Sequence, residues 1–161
     1  MWKTGHALIK ARMRETGALL GGEMSGHFIH ADTWFGFDDA LYAAARLLSI
    51  LTRDGRPSSS QFADLPAGIS TPELRIPMAE GEPPIFMQRL LAQADFGPAQ
   101  LLTIDGLRAE FVNGWGLVRA SNTTPGLTLR FEADDARALA DIQAMFRRAL
   151  LRLASHLPLP F

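Results

Sequence analysis

"QLLTIDGLRAEFVNGWGLVRASNTTPGLTLRFEA", Gln100 to Ala133, holds three strand-like runs, "QLLTIDGLRAEF", "GWGLVRAS" and "LTLRFEA". Each is bounded by turn chemistry: Asp105-Gly106 and Asn113-Gly114 are dipeptides that reach the positive φ of tight hairpins. The runs therefore predict an antiparallel meander. A sheet of this kind needs a cover for one face, and the flanking sequence supplies it. Downstream, Asp134 and Asp135 suit a helix N-terminus, and Leu139, Ile142, Phe146, Leu150 and Leu153 fall on one helical face. Arg147, Arg148 and Arg152 favour the negative end of that helix's dipole. Upstream, a short helix around Ser59 to Leu65 and a strand around Glu73 to Met78 precede a helix that begins near Glu82 and Pro83 and carries Ile85, Phe86, Leu90 and Leu91. Together these make an α+β unit of roughly 100 residues with its own core.

The segment before this unit reads differently. Between Lys3 and Glu15 the apolar residues Leu8, Ile9 and Met13 recur at helical spacing, and Gly17 supplies a left-handed stop. "ALL" leads through the glycine-rich "GGEMSGH" to "FI", a short strand. A second helix follows, with Asp38 as candidate N-cap and Leu41, Ala44, Ala45, Leu48 and Leu51 on one apolar face. The Gly, Pro and Ser cluster "RDGRPSSSQ", Arg53 to Gln61, is the linker candidate, which places the boundary between residues 1–54 and 55–161. Two helices and one or two short strands leave a sheet short of neighbours. The expected architecture is a partial α/β segment followed by a complete domain with an antiparallel sheet packed against helices, as in a truncated protein.

Composition narrows the function classes. Of 161 residues, 47% are hydrophobic and 20% charged, the balance of a folded globular protein. The net charge of -1 gives no electrostatic footprint for nucleic acid. The absence of cysteine removes thiolate nucleophiles and cysteine zinc sites. No apolar run approaches a membrane span, and "MWKTGHALIK" lacks a signal peptide's apolar region, so a cytoplasmic location is expected.

Two stretches carry side chains suited to ligand chemistry. "GGEMSGH" presents Glu23, Ser25 and His27 at alternating positions between glycines; if extended, they share one side and suit a polyhydroxy ligand. The same residues also fit a solvated turn. A Ser25 nucleophile with a His27 base is a further possibility, although a G-x-S-x-G elbow is lacking. His6, His27 and His30 with Asp38 and Asp39 lack the i, i+4 spacing of a helical zinc motif, so no metal site is expected. His6, at the entry to the first helix, suits a capping or packing role. The second stretch, "VRASNTTP", offers Arg119 as a planar cationic fork and Ser121, Asn122, Thr123 and Thr124 as short donors, the set a phosphate needs. The same composition also suits an ordinary hairpin loop with a solvated arginine, and Trp115 beside it suits a core position.

"GEMSGH" and "RASNTTP", in this order with an aromatic-Asp-Asp helix start between them, resemble the phosphomannomutase/phosphoglucomutase branch of the α-D-phosphohexomutases. "KTGH" at Lys3 to His6, "WFGFDDALYAAARLL" and "GWGLVRASNTTP…LRFEAD" extend the resemblance over nearly the whole chain. The family's four domains surround one cleft, and the sequence is similar to the end of the third domain and to the fourth. The resemblance implies that Glu23 and Ser25 bind sugar hydroxyls, that His27 lies near the reacting end, and that His6 takes part in binding or proton transfer. It assigns the substrate's non-transferring phosphate to Arg119, Ser121, Asn122, Thr123 and Thr124.

The implied activity is that of an isomerase, interconverting 1- and 6-phosphates of mannose or glucose by phosphoryl transfer through a hexose 1,6-bisphosphate. In relatives a phosphoserine and a Mg2+ held by Asp residues perform this transfer, and nothing in the sequence matches either loop. The chain alone is therefore expected to lack mutase activity, having no metal site and binding small hexose phosphates rather than nucleic acid or membrane. The competing reading is a free-standing, non-catalytic phosphosugar-binding module. The tail "SHLPLPF" has no role assigned by the resemblance.

Overall fold

The computed structural model describes residues 1–66 and 68–161 and divides into two compact units, Met1–Pro66 and Ala67–Phe161. The division falls beyond the boundary expected after Asp54. The reason is visible in the linker candidate: Arg56 Nε and Nη2 each donate to the Asp54 carboxylate at 2.7 Å. Gln61 Nε2 donates to the carbonyls of Leu51 and Arg56 at 2.9 and 2.7 Å. The Gly-Pro-Ser stretch is thus folded back onto the helix before it.

The first unit contains α1 (His6–Thr16), the hairpin β1 (Leu20–Gly22) and β2 (Phe28–His30), α2 (Ala40–Asp54) and the single turn α3 (Ser58–Gln61). Gly17 ends α1 with φ 68°, the left-handed stop its position predicts. α1 lies so close to β1 that a Cβ on Gly21 would sit 2.7 Å from Met13 Sδ and 2.8 Å from Ile9 Cγ2. α2 starts one residue later than expected: Asp39, not Asp38, is its N-cap, and its side chain accepts from the Tyr42 N–H at 3.0 Å. The apolar face expected to pack is left open, for α2 buries no residue, and Leu41 is 85% and Leu48 61% exposed. Met13 and Ile29 are the buried apolar side chains of this unit among the described residues.

The second unit is built on a six-stranded antiparallel sheet. Its strands are β3 (Ile69–Ser70), β4 (Leu74–Pro77), β5 (Gln100–Leu102), β6 (Leu107–Phe111), β7 (Gly114–Ala120) and β8 (Gly126–Ala133). The order is β3-β8-β7-β6-β5, with β4 also paired to β8. β3 and β4 act as one interrupted edge strand: Ile69 pairs with Ala133, the Thr71 N–H donates to the Phe131 carbonyl, and Leu74 to Pro77 pair with Leu129 to Gly126. Pro72, which has no N–H to give the ladder, stands at the break. The run "QLLTIDGLRAEF" divides at Asp105-Gly106 into β5 and β6, as the turn dipeptide requires.

α4 (Glu82–Gln93) and α5 (Ala136–Leu153) cover one face of the sheet. Alternation along β8 sends Leu127, Leu129 and Phe131 inward, where they meet Phe86, Leu90, Ile142, Phe146 and Leu150. Asp135 caps α5 by accepting from the Ala138 N–H at 2.8 Å. The tail after α5 folds back: Leu157 is buried, and the Phe161 ring lies 4.8 Å from that of Phe131 with the Arg147 guanidinium over it. No helix among the described residues is long and apolar enough to cross a membrane.

Candidate functional site

In the first unit the glycine-rich stretch is a hairpin turn, not an extended segment. Glu23 N–H donates to the His27 carbonyl at 2.9 Å and Gly26 N–H to the Glu23 carbonyl at 3.0 Å, and Gly26 takes φ 87°, where only glycine sits without strain. The turn, rather than alternation along a strand, brings the three side chains together. Ser25 Oγ lies 2.6 Å from His27 Nδ1, and Glu23 Oε2 is 3.8 Å from the same nitrogen. On the other side of the ring, His27 Nε2 is 3.8 Å from Asp38 Oδ2.

Glu23 has a second task that its residue type did not announce. Its Oε1 accepts the Gly5 N–H at 2.9 Å, tying the approach to α1 to the hairpin. His6 is the first residue of α1 and exposed; the cap position belongs to Gly5, so a capping role for His6 is excluded. His30 is engaged elsewhere, its ring edge-on to Tyr42 at 5.2 Å and its Nδ1 3.8 Å from Asp32. Ser25 and His27 are within reach of one another as a nucleophile and base would be. The strand after them, however, pairs back in a hairpin instead of opening a helix, so the elbow that exposes such a serine is missing.

In the second unit the loop between β7 and β8 carries the other set. Ser121 N–H donates to the Gly126 carbonyl at 2.9 Å and closes the loop. Ser121 Oγ accepts from the backbone N–H of Thr124 at 3.3 Å and of Thr123 at 3.4 Å, and both threonine hydroxyls lie 3.5 Å from it. Asn122, Thr123 and Thr124 are exposed. Arg119 is the partner of Thr128 in the ladder, one position before the strand ends, and its Nη1 makes a long contact of 3.4 Å with the Ala120 carbonyl. The turn at Gly106 leans against this arginine: a Cβ there would sit 2.5 Å from Arg119 Cβ. Trp115, expected in the core, is half-buried on the face of the sheet away from the helices, the face that alternation along β7 also gives Arg119, with the Arg108 guanidinium 3.8 Å from its ring centre.

The loop and the first turn of α4 line a cavity of about 270 Å³, with Gly81, Pro83 and Pro84 on one wall and Ser121 to Pro125 on the other. The positive end of the α4 dipole favours an anion here, and Glu80 on the same wall opposes it. A cavity of similar size, about 260 Å³, lies between α4 and α5; Leu90, Phe96, Met145 and Leu153 make its wall largely apolar, and Arg148 and Arg152 also line it. Among the described residues no three His, Asp or Glu side chains converge as metal ligands. The side chains of the described residues therefore do not make a magnesium site.

The whole chain is similar to known proteins. Residues 1–68 match the family model described as phosphoglucomutase/phosphomannomutase, alpha/beta/alpha domain III, and residues 73–149 match that of the C-terminal domain. A phosphomannomutase/phosphoglucomutase of Pseudomonas aeruginosa is 52% identical over 161 residues, covering 100% of this chain and 35% of the relative. A phosphoglucomutase of Neisseria gonorrhoeae is 52% identical over 162 residues, again with 35% of the relative covered. The crystal structure of a phosphoglucomutase/phosphomannomutase family protein from Burkholderia thailandensis superposes with a TM-score of 0.91 at 52% identity, over 100% of this chain and 34% of that one. The chain thus spans about a third of the length of the curated relatives it matches.

Proposed function

The chain belongs to the phosphoglucomutase/phosphomannomutase family, and from that premise we propose that it provides the sugar- and phosphate-recognition part of a mutase interconverting hexose 1- and 6-phosphates. The observation that carries this reading is the β7–β8 loop, where the donors Ser121 to Thr124 line a cavity at a helix N-terminus and Arg119 stands just before them at the end of β7. Phosphate recognition needs a cationic fork and short donors at fixed spacing, and this loop supplies both. In this assignment Arg119, Ser121, Asn122, Thr123 and Thr124 hold the phosphate that does not move. Glu23 and Ser25 bind sugar hydroxyls, His27 exchanges a proton near the reacting end, and His6 assists binding or proton transfer.

Mannose and glucose phosphates are the substrates of this reading, a hexose 1,6-bisphosphate its intermediate and the cytoplasm its setting. The relatives' names support a mutase and give no support to a free-standing binding module. Phosphoryl transfer also needs a phosphoryl donor and a metal to stabilise the charge, and among the described residues no three His, Asp or Glu side chains converge to hold one. The chain by itself is therefore expected to bind hexose phosphate without turnover. Calorimetry checks the binding: Arg119→Ala should weaken hexose 6-phosphate by about 1.5–3 kcal/mol, the range for a hydrogen bond to a charged group. Unchanged affinity would remove the loop from the site, and turnover with Mg2+ and hexose bisphosphate would refute the inactivity.

A further inference from the structure

Asp38 was expected to cap α2 and does not; Asp39 fills that position. Asp38 is instead pinned by its backbone, through an antiparallel bridge to the fully buried Ile29 of β2. That bridge sets its carboxylate beside the hairpin turn, with Oδ2 3.8 Å from His27 Nε2. The opposite ring nitrogen, Nδ1, lies 2.6 Å from Ser25 Oγ. One nitrogen of His27 therefore meets a hydroxyl at hydrogen-bond distance, and the other meets a fixed negative charge.

We infer that Asp38 is a positioning residue for His27, holding the ring proton on Nε2 and so leaving Nδ1 as the nitrogen that exchanges a proton with a hydroxyl. A neutral imidazole donates through one nitrogen and accepts through the other, and the partner of one decides the role of the other. A carboxylate facing Nε2 favours N–H there, which leaves a lone pair on Nδ1 to accept from Ser25 O–H. Glu23 Oε2, at the same 3.8 Å from Nδ1, acts in the opposite sense and offsets the charge of Asp38, so the hydroxyl on Nδ1 and the Asp38 charge on Nε2 together decide the tautomer. The hydroxyl at 2.6 Å is much the nearer neighbour of Nδ1. When Nδ1 takes a proton, the hydroxyl O–H bond breaks, its electron pair stays on oxygen, and the imidazolium lies between two carboxylates. Return of the proton restores the starting state, and the Nε2 proton never leaves. At 3.8 Å the Asp38 contact acts as a charge bias rather than a hydrogen bond, and such contacts tighten when a ligand closes the site.

This inference rests on the reading of His27 as the proton-exchanging group, but its test needs no sugar. The full chain, labelled with 15N-histidine, is observed by NMR at a pH where His27 is neutral. The expected spectrum shows a pyrrole-type shift on Nε2 and a pyridine-type shift on Nδ1. Asp38→Ala should move the tautomer ratio toward Nδ1–H by about twofold, below the roughly fivefold of two full charges 4 Å apart in water because a neutral imidazole N–H carries only a partial charge. Asp38→Asn, which keeps an acceptor and the backbone bridge, should fall between the two. The amide signal of Ile29 reports whether the bridge survives; if Asp38→Ala loses it, the Asp38→Asn ratio decides. A dominant Nδ1–H tautomer in the unaltered chain, or a ratio that neither substitution moves, would overturn the inference. Loss of hexose phosphate binding with these ratios intact would instead refute the functional reading.

Discussion

Gly106 and Arg119 are thirteen positions apart in sequence and adjacent in space, so the turn at Gly106 constrains the strand that carries Arg119. Gly106 has φ 84°, and a Cβ on it would meet the Val118 carbonyl oxygen at 2.4 Å and Arg119 Cβ at 2.5 Å. Gly106→Ala must displace one of them, at about 1–3 kcal/mol for a strained backbone position. The expected result is a lower melting temperature together with weaker hexose phosphate binding, measured by thermal denaturation and calorimetry on one preparation. Stability loss with unchanged affinity would mean that the turn does not place Arg119. At this scale the sequence is a good guide to the loop that carries Ser121 through Thr124 next to Arg119, because residues adjacent in the chain remain adjacent when folded. It is a poor guide to Glu23, whose bond to the Gly5 N–H joins residues that only folding brings together, and to Asp38, whose bridge to Ile29 has no local signature.

At the scale of elements, periodicity and turn dipeptides locate the helices and the meander, while the cap of α2 and the edge strand depend on tertiary detail. Two adjacent aspartates both satisfy the N-cap preference, and only the extended φ of -144° and the bond to Tyr42 N–H identify Asp39. Asp39→Ala should therefore destabilise α2 by about 0.5–2 kcal/mol, seen as lost amide protection in its first turn, whereas Asp38→Ala should leave that protection unchanged. The far end of α2 is closed by Asp54 and Arg56, and the hydrogen bonds from Arg56 hold the Asp54 carboxyl below its ordinary value of 3.8. A depressed carboxyl contributes its stability above pH 3.8 and loses it as pH falls through the lower folded value. Arg56→Ala should then abolish that pH dependence in the amide exchange of the last turn. The apolar residues of the tail "SHLPLPF" have neither helical nor strand period; Phe161 takes its place by packing on Phe131 and Arg147, a tertiary contact with no local signature.

The whole molecule is uneven in a way that the composition, averaged over the chain, conceals. The second unit holds a contiguous core in which Phe131, Phe146, Ile76, Leu90 and Leu129 are fully buried, and its sheet is covered along one face. In the first unit Met13 and Ile29 are buried, while Phe35 is 80% and Leu41 85% exposed beside a helix that buries nothing. Burial of a large apolar side chain contributes about 1.5–3 kcal/mol, and ordering each residue costs about as much in conformational entropy. A unit with so little burial therefore opens far more often than one with a closed core. Limited proteolysis of the full chain should cut first within Met1–Pro66, after exposed residues such as Arg12, Arg14 and Arg53, and leave a product close to Ala67–Phe161. Phe146 packs between Phe96 and Phe131 and leaves no room for a Cβ at Gly116, so Phe146→Ala should cost about 3–5 kcal/mol. In that variant the long product should disappear as well. Cleavage that begins in the β6–β8 region of the unaltered chain would contradict the assignment of stability to the second unit.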